Sequence, residues 1–306
     1  MAMKLGMNTA ILGAKPLEEV IDFAASIGLK SIEAACWPVG KADRRYAGVT
    51  HIDVDQLTQE RAEGILQYAG EKGVQIGSLS YSPNPLVDNE GLRQTYFVHI
   101  KKVIAAAEKL GVRAIDTFIG KDHKRPIAEN MELFKRYWPD IIRFAEDHNV
   151  IVTFENCPMY FTQDEWPGGK NLAVSPKIWR EMFSLIDSGY FGITFDPSHF
   201  AWQRMDYIKP IYEFREKIVN VHLKDTKFYQ DKYDDVGIFA DPLEYHAPKL
   251  PGLGDIDWGR VVSALTDIGF VGSAFIEVED RAFEGSEKDV LDSLRISKNY
   301  MSQYIV

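Results

Sequence analysis

Short apolar or alternating runs recur along the chain, and each is followed by a stretch whose apolar residues repeat every three to four positions. The first pattern predicts strands and the second predicts amphipathic helices. The predicted strands cover residues 3–8, 31–37, 74–81, 113–118, 150–157, 191–199, 219–226 and 273–280. Helix punctuation supports the segments between them. In "PLEEVIDFAASIG" Pro16 opens the first turn and Gly28 closes the last, while in "DWGRVVSALTDIG" Asp257 is placed to cap the start and Gly269 to end the helix.

Eight strand–helix units in alternation predict an α/β chain whose parallel sheet closes into a (β/α)8 TIM barrel, read as one domain over residues 1–306. A doubly wound open sheet is the structural rival. It is disfavoured because no GxGxxG follows the first strand, and "GMNTAILGAKP" makes a poor phosphate loop. No linker or low-complexity segment divides the chain. The connections 158–174 and 227–256 are longer than packing requires, which predicts lids or binding loops.

Within a barrel strand, alternate residues face the helices and the axis. In the last four strands one parity is apolar: Val152 and Phe154, Ile193 and Phe195, Val221 and Leu223, Ile276 and Val278. The opposite parity gathers Glu155, Asp196, His222 and Glu277, each near its strand's C-terminal end, where barrel enzymes build their sites. Three carboxylates converging on one axis repel unless a cation neutralises them. Three hard oxygen donors and one imidazole suggest a single divalent metal, Mn²⁺ first, with Mg²⁺, Co²⁺, Fe²⁺ or Zn²⁺ as alternatives. Separate salt bridges and a structural histidine are the competing account. Asn156 has the wrong parity for the axis if the strand continues that far.

Composition narrows the partners. A net charge of −10 over 306 residues argues against nucleic acid or an anionic membrane. No apolar run approaches a membrane span, and the first residues lack a signal-peptide core, so the expected location is cytoplasmic. The two cysteines, Cys36 and Cys157, fit no metal motif and read as buried free thiols.

"FEN" at Glu155, "FDPSH" at Asp196 and His199, "VHLKD" at His222 and "IEVE" at Glu277 resemble the xylose isomerase-like barrel superfamily. That group includes tagatose/psicose 3-epimerases and inosose dehydratases. "PGLGDIDW" also looks like its Gly-rich approach to a late helix. The resemblance implies one divalent metal held by Glu155, Asp196, His222 and Glu277, with His199 at the substrate or supporting the metal.

It further implies a sugar or cyclitol isomerase or epimerase acting through an enediolate, with Glu155 and Glu277 as proton carriers. A keto-sugar or inosose dehydratase is the alternative, because "HLKDTKF" lacks the arginine that epimerases place shortly after the histidine. Lys224 could polarise substrate or pair with Glu279, and Arg281 could hold a hydroxyl or carboxylate. Trp37, Tyr81 and Phe118 end strands, either as a wall for a sugar face or as core aromatics. His123 and His246 are expected on mouth loops as solvated side chains.

Endonuclease IV shares the barrel, but its multi-zinc cluster needs histidines where "SLSYSPN" and "DTFIGKD" have none. The family habit of pairing barrels suggests a homodimer or homotetramer.

Overall fold

The computed structural model describes residues 3–40, 46–160 and 169–305. Seven barrel strands come first: β1 (Lys4–Asn8), β2 (Ser31–Ala35), β3 (Gln75–Ser80), β4 (Ala114–Thr117), β5 (Ile151–Glu155), β6 (Phe191–Phe195) and β7 (Ile218–Leu223). A small antiparallel hairpin of β8 (Asp225–Phe228) and β9 (His246–Lys249) follows, and β10 (Ser273–Ile276) completes the set. The parallel strands close in the order β1-β10-β7-β6-β5-β4-β3-β2, the predicted (β/α)8 barrel.

The helices outside it begin with α1 (Leu17–Ser26), α2 (Gln59–Glu71), α3 (Glu90–Lys109) and α4 (Ile127–Asp147). α5 (Pro176–Leu185), α6 (Ser198–Ala201), α7 (Lys209–Glu213), α8 (Gln230–Val236), α9 (Trp258–Asp267) and α10 (Glu287–Met301) follow.

Local chemistry explains the helix ends. Asp257 accepts a hydrogen bond from the Arg260 amide at the start of α9, and Gly269 just beyond it takes φ +70°, a left-handed conformation costly for other residues. Helix-facing strand residues such as Val152, Phe154, Ile193, Phe195, Val221 and Leu223 are fully buried against the ring of helices. These side chains supply the apolar core.

The lumen is polar. Near its N-terminal end, Ser31 and Ser273 hydroxyls lie 3.0 Å apart and share Gln75, whose amide also meets the Lys4 ammonium. Gly77 leaves room for them: a Cβ there would come within 2.3 Å of the Ser31 hydroxyl. Higher up, Thr153 and Thr194 hydroxyls are 2.7 Å apart, and Thr153 also reaches Asp116 at 3.1 Å.

All barrel strands except β1 stop earlier than predicted. Asp196 and Glu277 stand just past β6 and β10, because the chain leaves the ladder where it must present these side chains. The predicted long connection 227–256 holds α8 and β9, with β9 folding back on β8. Of the connection 158–174, residues 161–168 lie outside the described residues. No described helix is long and apolar enough to cross a membrane.

Candidate metal centre and its cavity

Glu155, Asp196, His222 and Glu277 meet at the C-terminal mouth of the barrel, each offering a donor atom within 4.8 Å of the other three. The first three are buried and Glu277 is half-buried. His222 Nδ1 is buried there and makes no hydrogen bond, while the buried Asp196 Oδ2 has ion-pair contacts with Lys224 and His199. Three carboxylates and an imidazole whose inward nitrogen makes no hydrogen bond suit a divalent cation.

The ring already contains one positive charge. Lys224, two residues beyond His222 and of the same parity, sends its ammonium 2.6 Å from Glu277, 3.1 Å from Asp196, 3.3 Å from Glu279 and 3.8 Å from Glu155. The expected pairing of Lys224 with Glu279 is present, and the ammonium also pairs with all three carboxylates of the ring.

Burial would lower the Lys224 pKa, but the charges of Glu277, Glu279 and Asp196 hold it well above the ordinary lysine value. Burial would likewise raise Glu155, yet Lys224 and His222 keep that carboxyl well below the usual range. For Glu277 burial wins over Lys224, and with the nearby Glu155 charge it lifts the carboxyl to about 7.

A surrounding layer fixes these groups. Asn156 is buried and faces Asp196: its Nδ2 donates to the Asp196 carbonyl and its Oδ1 accepts from the Asp196 amide, both at 2.8 Å. The residue that did not fit the axial parity therefore aligns a ring member from the side. Asn171 donates to the carbonyls of Glu155 at 2.9 Å and Cys157 at 2.7 Å.

Asp225 turns the other way and clasps the Gly-rich segment. It accepts from the amides of Gly252 and Ile256 and from the Trp258 indole. "KD" and "GLGDIDW" are therefore one physical unit.

Two lumen carboxylates were not expected from the sequence, Glu33 on β2 and Asp116 on β4. Glu33 Oε1 lies 3.0 Å from His222 Nε2. Burial, reinforced by the Glu33 charge, pushes the Asp116 carboxyl well above its ordinary value. Each is a single acid in its strand, Glu33 between Ile32 and Ala34 in "SIEAA" and Asp116 between Ile115 and Thr117 in "AIDT". The parity rule that located the quartet applies to both.

Above the ring opens a cavity of about 1200 Å³. His199 stands on its floor, with Nε2 3.3 Å from both Glu155 and Asp196. Trp37 is half-buried and Tyr81 is buried; both line the cavity, with their rings edge-on at 4.9 Å. Phe118 is buried with Cys157 and Met159 beside the ring. Arg281 is exposed on the rim and His123 likewise.

His246 departs from expectation. It is buried rather than solvated, because the β8–β9 hairpin lays it flat on Trp202 with ring centroids 4.8 Å apart. Burial drives its pKa down to about 3, so it is neutral. Both cysteines are free and buried, as expected. Among the described residues, β3 and β4 deliver no histidine to the ring.

The "Xylose isomerase-like TIM barrel" family model matches residues 21–300. The "Uncharacterized protein YfiH" of Bacillus subtilis is 23% identical over 329 residues, covering 98% of this chain and all of that protein. An inosose dehydratase of Clostridium perfringens is 25% identical over 103 residues, 32% of this chain and 34% of the relative. The structure of D-psicose 3-epimerase with D-tagatose from Clostridium cellulolyticum H10 superposes with a TM-score of 0.70 at 13% identity, covering 99% of each chain. With the closed barrel and the family match over most of its length, the chain belongs to the xylose isomerase-like TIM-barrel family.

Proposed function

We propose that this protein is a divalent-metal-dependent isomerase or epimerase of a small sugar or cyclitol. The observation that carries the reading is the convergence of Glu155, Asp196, His222 and Glu277 at the base of an open cavity. These four residues would hold the ion, which when bound supplies Lewis-acid polarisation of a carbonyl and an adjacent hydroxyl. Mn²⁺ is the first choice for this oxygen-rich set.

The proton transfers belong to the chain. Glu155 and Glu277 come from strands on different sides of the ring and bracket whatever enters from the cavity. One takes the proton from the carbon beside the carbonyl, and the other delivers a proton to the opposite face or to the neighbouring carbon. His199, hydrogen-bonded to Glu155, orients that carboxylate and a substrate hydroxyl. Trp37 supplies an apolar wall, and Arg281 closes the rim over a hydroxyl or carboxylate.

A second reading, a keto-sugar or inosose dehydratase, is favoured by Lys224. Its ammonium, 2.6 Å from Glu277, is placed to protonate a departing hydroxyl, and the epimerase-type arginine after His222 is missing.

Incubation of the Mn²⁺-loaded protein with ketoses and inososes in D2O decides between them. Deuterium uptake without loss of water supports the isomerase or epimerase, and ultraviolet-absorbing enone products support the dehydratase. Wild-type exchange in Glu155→Gln or Glu277→Gln, or exchange unaffected by complete metal removal, would overturn the proposal.

A further inference from the structure

Glu33 sits on β2 and is completely buried. Its Oε1 receives two donors: the Asn8 amide at 2.8 Å and His222 Nε2 at 3.0 Å. Asn8 cannot turn its carbonyl towards Glu33 without breaking another bond, because Asn8 Oδ1 already accepts the Ala10 amide at 2.9 Å. Glu33 Oε1 already accepts from Asn8, so pairing His222 through the same oxygen requires the imidazole to donate from Nε2.

That requirement fixes what the other nitrogen can do. His222 Nδ1 faces the ring, 3.4 Å from Glu155 Oε1 and 3.7 Å from Glu277 Oε2, and is buried without a hydrogen bond. With Nε2–H engaged by Glu33, Nδ1 is the nitrogen left facing the donor set, where a cation would displace its proton.

We propose that Glu33 is a positioning residue: it selects the Nε2–H form of His222 and aims Nδ1 at a bound divalent cation. The role rests on the metal centre proposed above and extends it to the opposite side of the barrel. Glu33 touches neither cation nor substrate and acts only through the imidazole. Carboxylates behind metal-binding histidines work this way, and losing one typically costs 10–100-fold in metal affinity.

Two measurements test it. Co²⁺ titration followed by its visible spectrum should give the Glu33→Gln variant an affinity about 10–100-fold below that of the unaltered protein. Because this variant could fold poorly, the unaltered chain supplies an independent readout. In its Zn²⁺-loaded form, ¹⁵N-histidine NMR should show the His222 resonance, assigned by its loss in His222→Asn, with the proton on Nε2 and a metal-shifted Nδ1.

An affinity within about threefold of the parent, or a proton on Nδ1 with metal at Nε2, overturns the role of Glu33 while leaving the metal centre standing. Failure of the unaltered protein to bind either metal overturns the metal centre, and with it the inference.

Discussion

Replacing Asn156 by alanine removes a small side chain that reaches no ligand, yet a large penalty is expected. Asn156 makes two buried hydrogen bonds of 2.8 Å to the Asp196 amide and carbonyl. Asp196 stands past the end of β6, where the backbone ladder no longer supports it. Truncation leaves one buried donor and one buried acceptor without partners, at about 1–3 kcal/mol each, so about 2–6 kcal/mol in total.

The urea-unfolding midpoint of metal-free Asn156→Ala should fall accordingly. At the proposed metal centre its divalent-cation affinity should fall as well, because Asp196 loses its lateral support. Asn156→Asp keeps the acceptor for the Asp196 amide but turns an oxygen towards the Asp196 carbonyl, so it should not restore the parent's stability. A loss below about 1 kcal/mol in the alanine variant would refute the idea that this reciprocal pair holds Asp196 in place.

Two other outcomes follow from packing and charge. The buried His246, with its pKa near 3, takes no proton in the folded state until far below the pH at which the unfolded imidazole does so, near 6.5. Stability is therefore full above about pH 6.5 and drains as pH falls towards 3, by up to about 1.4 kcal/mol per unit. Metal-free His246→Phe, which keeps a ring on Trp202, should lose less stability between pH 7 and 4.5 than the parent in urea titrations. Equal losses would exclude His246 as the cause. Gly254→Ala puts a Cβ 2.2 Å from Asp225 Oδ1 and 2.4 Å from the Thr226 carbonyl, so its unfolding midpoint should drop by the equivalent of about 1–3 kcal/mol. A parental midpoint would mean that the clasp yields freely.

The quartet was legible because barrel strands turn parity into geometry. An acid or histidine that breaks an apolar strand at its C-terminal end must face the mouth, and four consecutive strands agreed. Glu33 and Asp116 carry the same mark, but a lone buried acid reads equally as half of an ion pair. The partner that gives Glu33 meaning lies 189 residues away in sequence.

Asn156 escaped for a different reason. It acts sideways on the neighbouring strand's backbone rather than along the axis, and side-chain alternation does not encode that direction. His246 escaped because its burial is created by the hairpin, whose pairing depends on Asp225 gathering the Gly-rich segment behind it.

The Glu33–His222 hydrogen bond also joins the two halves of the chain. The four ring residues all come from the second half, from β5 onward, whereas the acid hydrogen-bonded to the imidazole comes from β2. A C-terminal half-barrel would hold every ring residue and still lack the steadying acid, and an N-terminal half would hold only the acid. If the four residues hold a cation and Glu33 steadies His222 as proposed, two separately expressed halves, mixed, would regain full cation affinity only on reassembly, making the centre a built-in reporter of barrel completion.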